Sequence, residues 1–277
     1  MDVPITNSPL PNYEHPPLVE TVLGVQFDRL PDMKNAHLGS FWNQLDRESW
    51  PHVSDAPPLS SEYERFGEID RWTKGFELQL SHNPTSRLRI TNKEKNRMIQ
   101  VQNGRFHFNW LRGDQVTYPR YDRVKEEFCN HLNLFLAFAA AEKIGTIHAN
   151  QWEVTYLNQI LQGTVWNTID DWDFFRPLAA IPSLENLIRG ESFSGEWHFE
   201  IPEKRGRLHI HWQHVELPTS NQAGIRLTLT ARGPVKQQAD NWQAILDGLD
   251  LGRGTIVGAF KNLMSDRANQ HWGLKDA

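Results

Sequence analysis

Hydrophobic periodicity lays down one order of elements twice along this chain: a strand, a helix, three or four antiparallel strands and a long closing helix. In the first pass LVETVLGVQF alternates from Leu18, so that Val19, Thr21, Leu23, Val25 and Phe27 share one strand face. Leu38, Phe41, Trp42 and Leu45 then recur at helical spacing after Pro31 and Asp32, and Pro51 opens a proline-rich loop that runs to residue 61. Three runs alternate with polar residues: Phe76, Leu78 and Leu80; Leu88 and Ile90; Phe106, Phe108 and Trp110. The Asn103-Gly104 step is a hairpin or bulge signal before the last of them. Tyr121, Val124, Phe128, Leu132, Phe135 and Ala139 form the stripe of a long helix that Gly145 ends.

The second pass follows the same order. QWEVTYLNQI reads as a strand, and one or two short helices are expected over Thr168 to Leu178 and Leu184 to Ile188. SFSGEWHFEI, RLHIHWQHV and GIRLTLTA supply three strands. Asp240 to Met264 is the closing helix, in which Gly248, Gly252, Gly254 and Gly258 predict a break.

The expected organisation is therefore an extended N-terminal arm over residues 1–17, held out of helix by Pro4, Pro9, Pro11, Pro16 and Pro17, then an α+β unit over 18–147 and a second over 148–277. The pattern resembles a tandem pair of TATA-binding-protein-like units, each a curved antiparallel sheet with helices on one face. A helix-grip fold, which encloses a cavity, is the rival. In either case each sheet has an apolar face for its helices and a polar face left over. Two such units can share one continuous sheet, and its polar face is then where function is to be sought.

Composition narrows the classes. Hydrophobic residues at 39% and charged residues at 23% belong to a folded chain rather than a disordered one. The eleven tryptophans and fourteen phenylalanines fall largely at core positions of the pattern and read as packing residues. A net charge of −5 argues against an overall basic coat for nucleic acid. The single cysteine, Cys129, excludes an internal disulfide or a cysteine-rich metal site and points to a reducing, cytoplasmic setting. The proline-rich start has no apolar run of the kind a signal or anchor needs, and Leu134 to Ala141 is too short to span a bilayer, so no membrane association is expected.

PPLVETVLGVQF at Pro16 to Phe27, YPRYDRVKEEF at Tyr118 to Phe128, VTYLNQI at Val154 to Ile160 and FKNLMSDRANQHWG at Phe260 to Gly273 carry a resemblance that spans nearly the whole chain. The sequence is similar to a sporadically distributed bacterial family of about this length. The resemblance implies bacterial origin and a full-length single module, and its scattered distribution is similar to that of mobile or defence-associated genes. No catalytic residue transfers with it.

Two clusters carry candidate chemistry. With Trp197 and Phe199 facing in, Glu196, His198 and Glu200 face out, and the next strand turns out Arg207, His209, His211 and Gln213. His198, His209 and His211 are thus candidate ligands for a divalent cation such as zinc, although paired strand histidines are more often an ordinary solvated face. The second cluster is an arginine-rich polar face with Arg87, Arg89, Arg105 and His107 from the first unit and Arg207, Arg226 and Arg232 from the second, among Gln100, Gln102, Asn109 and Thr228. Such a face binds anionic or phosphate groups through bidentate hydrogen bonds. Nucleic acid is not favoured as its ligand, because the aromatic rings needed for base stacking fall on the opposite face.

Nucleophilic and nucleotide chemistry have little support. Cys129 lies in EEFCNH beside Glu126 and Glu127, which raise a thiol's pKa. GLDLGRGTIVG has the wrong glycine spacing for a phosphate loop, and Asp170, Asp171 and Asp173 around Trp172 read as an acidic first turn of a helix. The expectation is a non-catalytic interaction or regulatory protein without a cofactor, linked to bacterial defence or toxin neutralisation, that holds a partner protein and can self-associate. The alternative is binding of a small ligand or nucleic acid, on the arginine and histidine face or in a groove between sheet and helices. An enzyme assisted by metal at His198, His209 and His211 ranks behind both.

Overall fold

A computed structural model describes residues 10–67, 86–113, 117–168, 171–179, 191–217, 222–235 and 241–275. Along the chain these contain β1 (Asn12–Tyr13), β2 (Leu18–Phe27), α1 (Asn35–Trp42), β3 (His52–Ala56), β4 (Arg87–Thr91), β5 (Arg97–Gln102), β6 (Arg105–Leu111) and α2 (Tyr121–Ala141). There follow β7 (Ala149–Leu161), β8 (Ser194–Ile201), β9 (Gly206–Glu216), β10 (Ala223–Pro234), α3 (Asn241–Leu263), α4 (Asp266–His271) and β11 (Leu274–Lys275). The expected strand at Phe76 to Leu80, the helix at Leu184 to Ile188 and the first nine residues of the arm lie outside the described residues.

Among the described residues nine strands form one antiparallel sheet in the order β3-β4-β5-β6-β2-β7-β10-β9-β8. The pairing of β2 with β7, Leu23 opposite Val154 and Val25 opposite Trp152, joins strands from the two halves of the chain. Alternation then sorts the side chains. Leu23, Val25 and Phe27 of β2, Phe106, Phe108 and Trp110 of β6, Trp152 and Val154 of β7 and Leu227 and Leu229 of β10 are buried under the helices. Phe135 of α2 meets Phe106 at 5.6 Å and Phe41 of α1 at 5.2 Å, which locks one end of this core.

Several local expectations are corrected. A register shift between Leu18 and Glu20 turns Leu18 into the core and leaves Val19 half-buried, the reverse of the simple alternation. Part of the proline-rich loop, His52–Ala56, is an edge strand paired with β4. No helix forms among the described residues of 168–178, because the end of α3 engages that backbone. Phe175 bridges to Met264, Arg176 N–H donates to Leu263 and Phe174 accepts from Ser265 N–H. Asp171 accordingly accepts the N–H groups of Asn167 and Thr168 at 2.7 and 3.0 Å, closing a turn rather than opening a helix. Phe199 does not face inward to cover: on the edge strand β8 it stays 50% exposed.

The predicted break in the closing helix is absent, since α3 runs unbroken over Asn241–Leu263. Gly248 and Gly252 serve close packing instead. A Cβ at Gly248 would come 2.3 Å from Trp152 Cδ1, and one at Gly252 would come 2.8 Å from the same indole and 2.9 Å from Val154. Two missing side chains one turn apart let the helix lie directly on β7. The described part of the arm is tied down rather than loose: β1 pairs with β11, and the buried Tyr13 hydroxyl donates to Asn269 at 2.7 Å. No described helix is long and apolar enough to cross a membrane.

Candidate functional site

On the sheet face away from the helices, strand register lines up rows of polar side chains across both halves. One row runs Arg89, Gln100, His107, Gly24, Glu153, Arg232, Arg207 and Glu200, each the cross-strand neighbour of the next. The next row toward one sheet end brings Arg87, Gln102, Arg105, Gln26 and Gln151 together, with β4 and β5 kept in step. Alternation explains why these groups share a face; the β2–β7 pairing explains why the two halves form one surface.

This surface is not open across its middle. Residues 57–67 leave β3 and cross it, and side chains from five strands grip the backbone of that segment, which we call the strap. Gln102 makes a two-point contact with Leu59, accepting its N–H and donating to its carbonyl, both at 2.8 Å. Gln26 accepts the N–H of Glu62 at 2.8 Å, and Gln151 accepts that of Glu64 at 3.3 Å. Arg105 donates to the Ser60 carbonyl at 3.0 Å and Arg207 to the Arg65 carbonyl at 3.0 Å, with the Arg207 guanidinium 4.8 Å above the Phe66 ring.

Two carboxylates of the strap complete the contact. Glu62 pairs with Arg232. Glu64, whose side chain is 3% exposed, pairs with Arg207, accepts from Arg232 Nε at 3.1 Å and meets His209 Nε2 at 2.7 Å. Burial alone would raise the Glu64 pKa, but the hydrogen bond and charge of His209 and the charges of Arg232 and Arg207 outweigh it and hold the carboxyl down at about 2. The strap is therefore anchored by a carboxylate that stays ionised through the physiological range.

A second carboxylate, Glu153 of β7, lies beneath. Arg232 Nη1 is 3.2 Å away, Arg105 Nη1 3.7 Å and His107 Nε2 3.7 Å. Burial opposes its ionisation, and His107, Arg232 and Arg105 overcome that and lower its pKa. His107 reaches it by lying flat over β2, where Gly24 leaves room: a Cβ there would be 2.5 Å from the imidazole Cδ2. Burial drives the His107 pKa down to about 4, with the neighbouring arginines adding to the fall and Glu153 opposing it, so the ring is neutral at pH 7. The neutral imidazole spares the site one more buried charge.

The candidate residues thus separate into groups. Arg105, His107, Arg207 and Arg232 converge through Glu153 and Glu64. Arg87 and Arg89 stand on β4, between β3 and β5; burial lowers the Arg87 pKa, and the charges of Arg89 and Arg105 lower it further. Arg226 is exposed three rows away, opposite Gln213 and Gln159, and joins none of these contacts. Of the three candidate metal ligands, His198 Nδ1 and His209 Nδ1 hydrogen-bond each other at 2.8 Å, and His209 spends its other nitrogen on Glu64. Both ring nitrogens of His209 are therefore engaged, one by His198 and one by Glu64, and the exposed His211 faces Glu196 one step along the strand pair. No group of three His, Cys, Asp or Glu side chains among the described residues is arranged to hold a metal ion.

Cys129 is half-buried on α2. Its pKa is raised by burial first and then by Asp250, rather than by the adjacent Glu126 and Glu127, while Lys125 pulls it back. Sequence reasoning missed Gln26, Gln151 and Glu153, although the alternation of β2 and β7 places them on the polar face. It also missed Glu62 and Glu64, for which a loop offers no periodicity. What this arrangement can do chemically is hold an extended acidic chain by its backbone amides and its carboxylates. Comparison with protein-family models, with curated proteins and with solved structures finds no match to the chain.

Proposed function

We propose that the polar sheet face is a protein-binding surface that takes an extended acidic segment of a partner, and that residues 57–67 hold its place in cis. The observation that carries this reading is the set of three glutamine carbonyl oxygens, on Gln102, Gln26 and Gln151, that accept backbone N–H groups of the strap. Such acceptors need N–H donors. A phosphodiester backbone has none, so a nucleic-acid backbone laid on this face would leave the Gln102 and Gln151 acceptors without these donors, at a cost of about 1–3 kcal/mol each, while Gln26 would keep its bond from Arg105. An extended peptide satisfies them, and its carboxylates meet Arg207 and Arg232 as those of Glu64 and Glu62 do.

The same reading takes the chain as two TATA-binding-protein-like units, 18–147 and 148–277, sharing the sheet. Support comes from the strand order on the two sides of the β2–β7 pair: in each half the first strand, β2 or β7, lies beside the last, β6 or β10, and a long helix follows that last strand. A shared face of this kind is long enough for one extended segment to be read by both units.

The test is fluorescence anisotropy with a labelled peptide PPLSSEYERFG, the sequence of residues 57–67. In the intact chain the tethered strap competes at an effective concentration on the order of millimolar and keeps the peptide out. In the full-length Glu62→Gln, Glu64→Gln double variant the strap is weakened, and the peptide is expected to bind at least tenfold tighter than to the parent, with a scrambled peptide inert. Equal binding to parent and variant refutes the reading. Preferential binding of a single-stranded oligonucleotide by the variant refutes it in favour of nucleic acid.

A further inference from the structure

A cavity on the opposite, helical side of the sheet is independent of the strap. Its floor is Tyr156 and Asn158 of β7 with Leu18 of β2, its walls are Tyr118 and Tyr121 at the start of α2 and Ile256, Val257 and Phe260 of α3, and the N-terminal arm closes one side with Pro11 and Pro16. The cavity measures about 90 Å3 and is open to solvent at its mouth.

The lining is specific in character. Aromatic, proline and aliphatic residues dominate the lining, which suits an apolar ring. Polar atoms are few and separate into two zones. Inside, the Tyr118 and Tyr156 hydroxyls hydrogen-bond each other at 3.1 Å. Burial raises both phenol pKa values, so they remain neutral hydrogen-bonding groups. At the mouth, Arg253 lies 5.0 Å over the Tyr121 ring and has no carboxylate within ion-pair distance among the described residues. Arg120, also on the lining, is already bound to Asn12 Oδ1 and the Tyr13 carbonyl, each at 2.9 Å. The nearby Asp250 is held by Lys125 and the Tyr121 hydroxyl. Arg253 is thus a cation at the edge of an aromatic pocket, with Asp250 spent on other partners and the exposed Asp122 also on the lining.

We infer that this cavity binds a small planar aromatic anion, its ring between Tyr118, Tyr156 and the α3 side chains and its charged group on Arg253. Val257 lines the wall and Arg253 the mouth, so size and charge are probed separately. The probe is anilinonaphthalene sulfonate, titrated by fluorescence against the full chain, with the uncharged phenylnaphthylamine as companion.

The wild type is expected to show one saturable site for the sulfonate. Arg253→Met weakens it tenfold or more and leaves the uncharged probe unchanged, and Val257→Trp abolishes binding of both. The strap variant Glu64→Gln binds both probes as the wild type does. Cooperative thermal unfolding of each variant verifies that it is folded, because a loosened core would bind the dye regardless. Binding to folded Val257→Trp at wild-type affinity overturns the site, and an Arg253→Met variant that keeps full sulfonate affinity overturns the anion. Methyl resonances of Ile256 and Val257 that do not move on saturation with the dye also overturn it.

Discussion

Replacing Glu64 by glutamine keeps the size of the side chain and removes the one carboxylate that meets Arg207, His209 and Arg232 together. Two routes give the size of the effect. The pKa of Glu64 is held at about 2 instead of the ordinary 4.5, which corresponds to about 3 kcal/mol of preference for the ionised form. Independently, removing one partner of a buried ion pair costs about 3–5 kcal/mol, because the charges left behind lose their compensation. The cost need not fall on the whole fold. The strap can lift and let water reach Arg207 and Arg232, so the loss is expected as easier local opening, with a smaller fall in global stability. A change of about 3 kcal/mol raises the open population roughly a hundredfold. Trypsin reads this directly at Arg65, whose carbonyl Arg207 holds. When opening equilibrates faster than cleavage, the rate at that bond should rise by about the same factor in Glu64→Gln, while the urea midpoint moves much less. An unchanged cleavage rate in a folded variant refutes the anchoring role. A loss of about 3 kcal/mol in global stability with cleavage that merely follows unfolding refutes the separability of the strap.

Three further outcomes are expected. The folded pKa of His107 is about 4 against about 6.5 in the unfolded chain, so its contribution to stability is complete above pH 6.5 and is lost as pH falls toward 4, roughly 3 kcal/mol in all; urea titrations between pH 7 and 4.5 should show a clearly flatter dependence in His107→Gln. Gly248→Ala, whose Cβ would come 2.3 Å from Trp152, should lose about 1–3 kcal/mol in urea unfolding despite the better helix former; Gly258→Ala, with no atom within 4 Å, should gain up to about 1 kcal/mol, and equal effects would refute close packing as the reason for these glycines. Cys129, half-buried with a raised pKa, should react with iodoacetamide at pH 8 more slowly than a free cysteine in the urea-unfolded chain, and equal rates would contradict its burial.

Much of the scaffold follows from local rules. Period-two alternation in β2, β6, β7, β9 and β10 marks which side chains go under the helices, and the stripes of α2 and α3 mark what covers them. Arg105, His107, Arg207 and Arg232 were legible as one polar face for the same reason. Local rules fail where a residue's role is set by a neighbour distant in sequence. Gly248 and Gly252 of α3 look like helix breakers until Trp152, almost a hundred residues earlier, is seen beneath them. Thr168 to Leu178 looks helical until the end of α3 takes its backbone hydrogen bonds.

The sequence by itself determined the class of fold, the antiparallel strands, the long helices and the polar composition of one sheet face, because each depends on contacts between residues one to four positions apart. The tertiary structure alone decided that β2 joins β7, that Glu153 lies among cations from both halves, and that residues 57–67 cover the face with Glu62 and Glu64 on Arg232 and Arg207. The reason is physical: a loop has no periodicity to read, and an ion pair is specified by position in space. In the chain Glu64 and Arg207 are 143 residues apart; in the fold their side chains are in direct contact.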